Sequence, residues 1–272
     1  MRVDEALALA RAGGLARLDA QLLLARRLAR PRAWLIAHDD AELPADVEQG
    51  FRADLAARLD GVPMAYLSGE REFRGLTLAI TPVVLVPRPD TETLVEWALE
   101  CLADRSRPRV LDLGTGSGAI AIAVAHARPD ARLTATDLDD AALELAQANA
   151  RRHGVVLDCR LGSWWQGLDG QRFDLVLANP HYIAEGDPHL PALRHEPRRA
   201  LTSGSDGLDA LRELAAGAAA HLEAGGQMLV EHGAEQGAAV RALFAARGLR
   251  ALGTRRDLGG RERCTGAALA GP

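Results

Sequence analysis

The chain has 272 residues, of which 48% are hydrophobic and 25% charged, with a formal net charge of −5 and a pI near 5.9. That length allows one full core plus a smaller unit, and the acidic balance argues against a protein that grips nucleic acid through its phosphates. No apolar run approaches the about 18 residues needed to span a bilayer, and the opening Met1-Arg2-Val3-Asp4-Glu5 is not that of a signal peptide.

Three widely spaced cysteines, Cys101, Cys159 and Cys264, suit a reducing compartment and form neither a disulfide framework nor a thiolate metal site. The expected location is the cytoplasm, with no membrane partner. All 32 basic residues are arginine, a compositional bias that warns against reading chemistry into any single one.

Residues 1–62 carry helical patterning. Leu7, Leu15, Leu18, Leu22, Leu23 and Leu28 recur near helical spacing, Pro31 breaks the run, and Ala33–Ala37 and Val47–Leu59 read as further helices. A bundle of four or five helices follows, either a packing module or a substrate-docking domain. Residues 63–89 form a linker in which Thr77–Ile80 and Val83–Val86 flank Thr81-Pro82, predicting a β-hairpin. A helix from about Asp90 to Leu102 then opens the larger domain, 90–272.

Beyond Pro108 strands and helices alternate. Strands are predicted at Arg109–Leu113, Arg132–Asp137, Val155–Arg160, Phe173–Ala178 and Gln227–His232, with helices between most of them. This alternation implies a parallel sheet covered on both faces. The last segments, Arg250–Asp257 and Glu262–Leu269 around Gly259-Gly260, read as an antiparallel hairpin. No internal repeat is visible. The fold class is α/β: a Rossmann-like domain of the class I methyltransferase type, preceded by the small helical bundle.

Val110-Leu111-Asp112-Leu113 runs into Gly114-Thr115-Gly116-Ser117-Gly118 and then a helix at Ala119–His126. Glycines allow the sharp bend and let a ligand approach without a Cβ in the way, and the N–H groups at the helix start suit an anion. Asp137 ends the next strand about 20 residues later, where a carboxylate accepts ribose hydroxyls; the plainer reading is a cap on the following helix. Dehydrogenases share such loops. An acid two residues before the first glycine and the tight Gly-x-Gly-x-Gly spacing favour S-adenosylmethionine.

Phe173–Ala178 is a buried strand that delivers Asn179-Pro180-His181-Tyr182 to the same sheet edge. An amide or aromatic amine nitrogen is a poor nucleophile because its lone pair is delocalised. The Asn179 oxygen and the Pro180 carbonyl can hold its two N–H groups and aim the nitrogen at a methyl donor, while Tyr182 offers a flat face for a planar acceptor. Asn179, Pro180 and Tyr182 are therefore the candidate catalytic residues. No strong base is required, and His181 is a candidate acceptor contact rather than a necessary base.

With these motifs in place the sequence resembles the HemK/PrmC family, the protein-(glutamine-N5) methyltransferases of peptide chain release factors. Pro63–Gly69 with Glu72-Phe73-Arg74-Gly75 resembles the family linker, and Pro87-Arg88-Pro89-Asp90-Thr91-Glu92 its Pro-Arg-Pro-Glu-Thr-Glu signature. Gly162-Ser163-Trp164, Asp187-Pro188-His189-Leu190, His195-Glu196-Pro197 and Glu231-His232-Gly233 follow in family order. The resemblance implies cofactor contacts from Gly114, Thr115, Gly116, Ser117, Gly118, Asp137, Trp164 and Asn179, and acceptor contacts from Asn179, Pro180, His181 and Tyr182. It implies the glutamine of the Gly-Gly-Gln loop of release factors as substrate, a monomer, no direct nucleic-acid contact, and help in docking from the N-terminal helices.

Two departures stand out. His181 replaces the family's second proline, relaxing the loop, and Thr265-Gly266-Ala267 is smaller than the family's C-terminal strand. A ribosomal-protein glutamine, an adenine N6 amine and a non-catalytic nucleotide-binding module are the competing readings. Trp164 and Trp165 could equally be core by themselves. His189 and His195 lack the ligand spacing of a zinc site, and no metal is expected.

Overall fold

The computed structural model describes residues 1–271 and divides into two compact units, Met1–Glu70 and the chain from Arg71 onward. The first unit holds five helices: α1 (Val3–Ala12), α2 (Arg17–Arg27), α3 (Arg32–Ala37), α4 (Ala45–Leu59) and α5 (Met64–Ser68). Pro31, Pro44 and Pro63 each stand at the N-cap of the helix that follows. Their fixed φ suits a helix entry and forbids continuation of the segment before. Gly69 ends α5 in the left-handed conformation at φ 75°, a position that favours glycine.

The core of this unit is Val3, Ala6, Ala10, Ala20, Leu23, Leu24, Leu35, Phe51 and Leu55. The leucine stripe predicted from spacing is only partly the buried one. Leu23 is enclosed, whereas Leu18 and Leu22 are exposed because α2 turns Ala20, Leu23 and Leu24 inward. A fork-to-fork pair joins α2 to α4: Arg27 Nε and Nη2 donate to Asp54 at 2.6 Å each.

In the second unit the hairpin pairs β1 (Glu70–Phe73) with β2 (Leu76–Ala79). It lies earlier than the sequence suggested. Arg74 and Gly75 both take positive φ, 49° and 78°, the geometry of a two-residue type I′ turn. Val83–Val86 forms no strand: Val86 N–H donates to the Glu196 carboxylate at 3.2 Å instead of a ladder partner, and Val83, Val84 and Leu85 line the pocket described below. The residues predicted as a separate linker form no body of their own, since α5 belongs to the first unit and Arg71 onward to the second.

After a 3₁₀ turn at Pro89–Thr91 and α6 (Glu92–Cys101) the chain alternates β3 (Arg109–Leu113), α7 (Ala119–Ala127), β4 (Arg132–Asp137), α8 (Asp140–Arg152), β5 (Leu157–Leu161), β6 (Phe173–Ala178), α9 (Asp209–His221), β7 (Leu222–Glu231) and α10 (Gly237–Ala246). It closes with β8 (Arg250–Arg256) and β9 (Glu262–Ala268). These form one seven-stranded sheet in the order β5-β4-β3-β6-β7-β9-β8. The first five are mutually parallel, and β9 runs antiparallel to both neighbours.

The chain winds outward from β3 through β4 to β5, then returns to place β6 on the other side of β3. Leu113 pairs with Ala178 at the ends of these two strands, so the loops that follow each emerge side by side. Such a reversal point is where open α/β sheets bind ligands. The predicted strand limits hold to within one residue except that β5 starts two residues later and β7 five residues earlier. Gly266 in β9 has a direct cause: a Cβ there would stand 2.7 Å from Trp97 Cη2 and 2.8 Å from Leu229 Cδ2.

Candidate active site

The loop after β3 is held from behind by Asp112. This carboxylate is fully buried; its Oδ2 accepts from Thr115 Oγ1 at 2.6 Å and from Ala121 N–H at 3.3 Å. Burial pushes its pKa up to about 6, and those two hydrogen bonds act against the rise. Gly114, Gly116 and Gly118 all have positive φ, 70°, 54° and 82°. At Gly114 the reason extends beyond backbone freedom, since a Cβ would lie 3.2 Å from the Trp164 ring.

Three of the loop's N–H groups are used internally, among them Gly118 N–H, which donates to Thr115 O at 2.9 Å. Thr115 N–H donates to Thr136 O at 2.9 Å, and Gly116 N–H to Asp137 Oδ2 at 2.9 Å. The anion site read from the sequence is therefore narrower than a fully open set of amides.

Asp137 ends β4 facing the same pocket. Its Oδ1 accepts from Asp139 N–H at 3.0 Å, which leaves further lone pairs on both oxygens. Burial raises its pKa, with the Gly116 and Leu138 amides pulling the other way. Capping of α8 falls to Asp139, whose side chain accepts from Ala141 N–H at 3.0 Å. The plainer reading of Asp137 as the cap is thereby replaced.

Gly114, Thr115, Gly116, Ser117, Asp137, Trp164, Asn179, Pro180 and His181 all line one pocket. Gly118 and Tyr182 stand back from its wall. Gly118 packs its backbone against Ile122 and Ala146, and Tyr182 packs against the core while its hydroxyl donates to Glu231 Oε1 at 3.4 Å. The two tryptophans separate cleanly. Trp164 lines the pocket with its ring 5.6 Å from that of His181, whereas Trp165 stacks on His221 at 4.8 Å and donates to Glu213 O. His181 has its pKa lowered, first by burial.

Sequence reasoning missed several contributors. Thr91 accepts from the Asn179 side-chain Nδ2 at 3.1 Å. Arg199 reaches over the pocket to pair with Asp139, and Glu196 holds both Arg88 and the Val86 amide. Asn149, fully buried, ties the hairpin to the glycine loop by accepting from Ala79 N–H at 2.7 Å and donating to Ala79 O and Ser117 O. His189 is exposed and paired with Asp187, and no metal-holding cluster occurs among the described residues. Among those residues, too, no helix is long and apolar enough to cross a membrane.

The donor set fits an adenosyl sulfonium. Trp164 gives a flat wall, Val84, Leu85, Ile120 and Ala142 an apolar slot, and Asp137 a carboxylate for a diol. Asp139 and Arg199 pair and offset each other, which leaves Asp137 as the acidic group of the lining. That balance favours a cation over a pyrophosphate.

Comparison with known proteins agrees along the chain. The Methyltransferase small domain family matches residues 91–243, and the PrmC N-terminal domain matches residues 5–69. The release factor glutamine methyltransferase of Bordetella pertussis (strain Tohama I) is 52% identical over 259 residues, covering 94% of this chain and 96% of that protein. That of Xylella fastidiosa (strain Temecula1) is 50% identical over 252 residues, 92% of each. A methyltransferase structure from Pyrococcus furiosus superposes with a TM-score of 0.57 at 18% identity, covering 80% of this chain and 98% of that one, and so shares the fold. With relatives half identical over nearly its whole length, the chain belongs to the release factor glutamine methyltransferase family and is an S-adenosylmethionine-dependent methyltransferase.

Proposed function

We propose that this enzyme methylates the N5 amide of the glutamine in the Gly-Gly-Gln loop of peptide chain release factors. The observation that carries this reading is the shared pocket. Asn179 and Pro180 leave the end of β6 beside the glycine loop that leaves the end of β3, so an acceptor gripped by one faces a donor seated on the other.

S-adenosylmethionine, when bound, supplies an electrophilic methyl group on a sulfonium sulfur. Gly114 to Gly118 provide the backbone that approaches it, Asp137 the ribose contact and Trp164 the face beside the base. Asn179 Oδ1 and the Pro180 carbonyl accept the two N–H groups of the glutamine carboxamide. Holding both draws the nitrogen away from planar conjugation and fixes the direction of its lone pair. Tyr182, packed against the core and anchored through its hydroxyl, holds the loop from behind, and His181 borders the pocket itself. The alkylated nitrogen is acidic enough to release its proton to water, so the site needs no general base.

The N-terminal unit contributes docking of the factor in this reading, and the enzyme acts as a monomer without direct contact to nucleic acid. It works in the cytoplasm, where its free Cys101, Cys159 and Cys264 stay reduced. The test is incubation of purified protein with labelled cofactor and a release factor. One methyl should appear on one glutamine, and a factor with that glutamine changed to alanine should remain unlabelled. Equal labelling of the altered factor, or preference for a ribosomal protein in direct competition, would overturn the assignment.

A further inference from the structure

We propose that Thr91, backed by Glu231, is a positioning residue that holds the Asn179 carboxamide with its oxygen facing the acceptor. This deepens the reading above and rests on it. The Asn179 Nδ2 donates to Thr91 Oγ1 at 3.1 Å. Thr91 is 3% exposed and Glu231 1% exposed, so neither has water as a ready alternative partner.

A carboxamide is nearly symmetric in shape but not in chemistry, because one end donates and the other accepts. Turned over, Asn179 would present its own N–H groups to the N–H groups of the substrate, and two donors would face each other. Something must therefore fix which end points outward. A threonine hydroxyl alone does not, because it can donate or accept. It becomes a committed acceptor once its single proton is given to another group.

Glu231 is that group. It lies beside Thr91, and the Thr91 and Tyr182 hydroxyls both act to lower its pKa against the effect of burial. Its Oε1 accepts from Tyr182 at 3.4 Å, while Oε2 is buried without a hydrogen-bond partner among the described residues. The nearby cation, Arg263, is engaged with Asp257 at 3.0 Å and Asp90 at 3.3 Å. A buried carboxyl without a salt bridge is costly to fold, so the open Oε2 is the acceptor to which the proton of the neighbouring Thr91 hydroxyl turns. The order of donation then runs from the Asn179 amide to Thr91 and from Thr91 to Glu231, which leaves Asn179 Oδ1 free to accept.

The experiment compares Thr91→Val, Thr91→Ser and wild type at pH 8 with a release factor as acceptor. Valine keeps the shape and removes the hydroxyl; serine restores it. Thr91→Val should lower kcat by about tenfold or more, the scale of one lost hydrogen bond in the transition state. KM for the factor and cofactor affinity by calorimetry should stay within about twofold, and Thr91→Ser should return kcat to within about threefold of wild type. Thr91→Cys, similar in size with a weakly bonding thiol, should repeat the loss if the valine variant does not fold. A folded valine or cysteine variant with wild-type kcat would overturn the positioning role alone, as would a serine variant no better than valine. Wild-type enzyme that leaves the factor unmodified would overturn the parent reading and this one together.

Discussion

Glu231→Gln should stabilise the protein at pH 8 and do little at pH 5. Burial raises the Glu231 pKa from an ordinary 4.5 to about 7, with the Thr91 hydroxyl, Arg263 and the Tyr182 hydroxyl opposing and Asp90 adding to the rise. Because the folded state holds this proton more tightly than the unfolded chain, the group's contribution is complete below pH 4.5. It falls away as pH rises and is gone above about 7. At about 1.4 kcal/mol per pH unit between the two values, full ionisation costs about 3 kcal/mol. Glutamine has the shape of the protonated acid and never pays that cost. Between pH 5 and pH 8 the advantage of the variant over wild type should therefore grow by about 2 to 3 kcal/mol. Asp112, pushed up to about 6 by its own burial, slopes the same way in both proteins and cancels in the difference. Urea unfolding of both proteins at each pH measures this directly. An advantage of equal size at pH 5 and pH 8 would show that Glu231 ionises normally in the fold.

Three further perturbations separate the parts of the site and the scaffold. Asn179→Ala should abolish transfer while cofactor affinity by calorimetry stays within about tenfold, or about 1.4 kcal/mol; a fully active variant contradicts its role. Gly114→Ala places a Cβ 3.2 Å from the Trp164 ring at a backbone φ of 70°, so beyond about 1–2 kcal/mol of backbone strain it should displace Trp164 and weaken cofactor binding by about tenfold or more. In the N-terminal unit, Arg27→Ala strips Asp54, 6% exposed, of both its 2.6 Å hydrogen bonds. With Arg27 itself about a third exposed, the expected loss is about 2 kcal/mol, seen as faster hydrogen exchange in α2 and α4.

The strands of the large sheet were legible because their signal is local. Val110–Leu113 and Phe173–Ala178 are short apolar runs ended by glycine or Asn-Pro, and both became buried central strands. The hairpin was misplaced because Thr77–Ile80 and Val83–Val86 carry the same strand-like composition. Arg74 accepts a left-handed conformation that arginine rarely signals, and the valines serve as pocket wall rather than ladder. Leu18 and Leu22 mislead similarly: they keep helical spacing, but the tighter packing of Ala20 and Leu23 sets the rotation of α2.

The site divides along the same line. Gly114 to Ser117, Asp137 and Asn179-Pro180 each follow a strand of a parallel sheet, and alternation alone places the ends of such strands on one edge. Residues that act through side-chain pairing across the sequence leave no such trace. Thr91 meets Asn179 from 88 positions away, and Glu231 meets Tyr182 from 49. Yet these distant partners determine whether the legible ones can work. An asparagine at the end of β6 is only a carboxamide of undecided direction, and a tyrosine three places on is only a buried ring. With the hydroxyls of Thr91 and Tyr182 both committed to one buried carboxyl, the asparagine oxygen and the adjacent proline carbonyl become two acceptors of fixed position. A substrate amide has two N–H groups to match them, whereas an ester or hydroxyl does not. In the proposed arrangement, selectivity for a nitrogen that carries two N–H groups thus follows from the direction of hydrogen bonds fixed on the 3₁₀ turn at Pro89–Thr91 and on β7, outside the Asn179–Tyr182 motif.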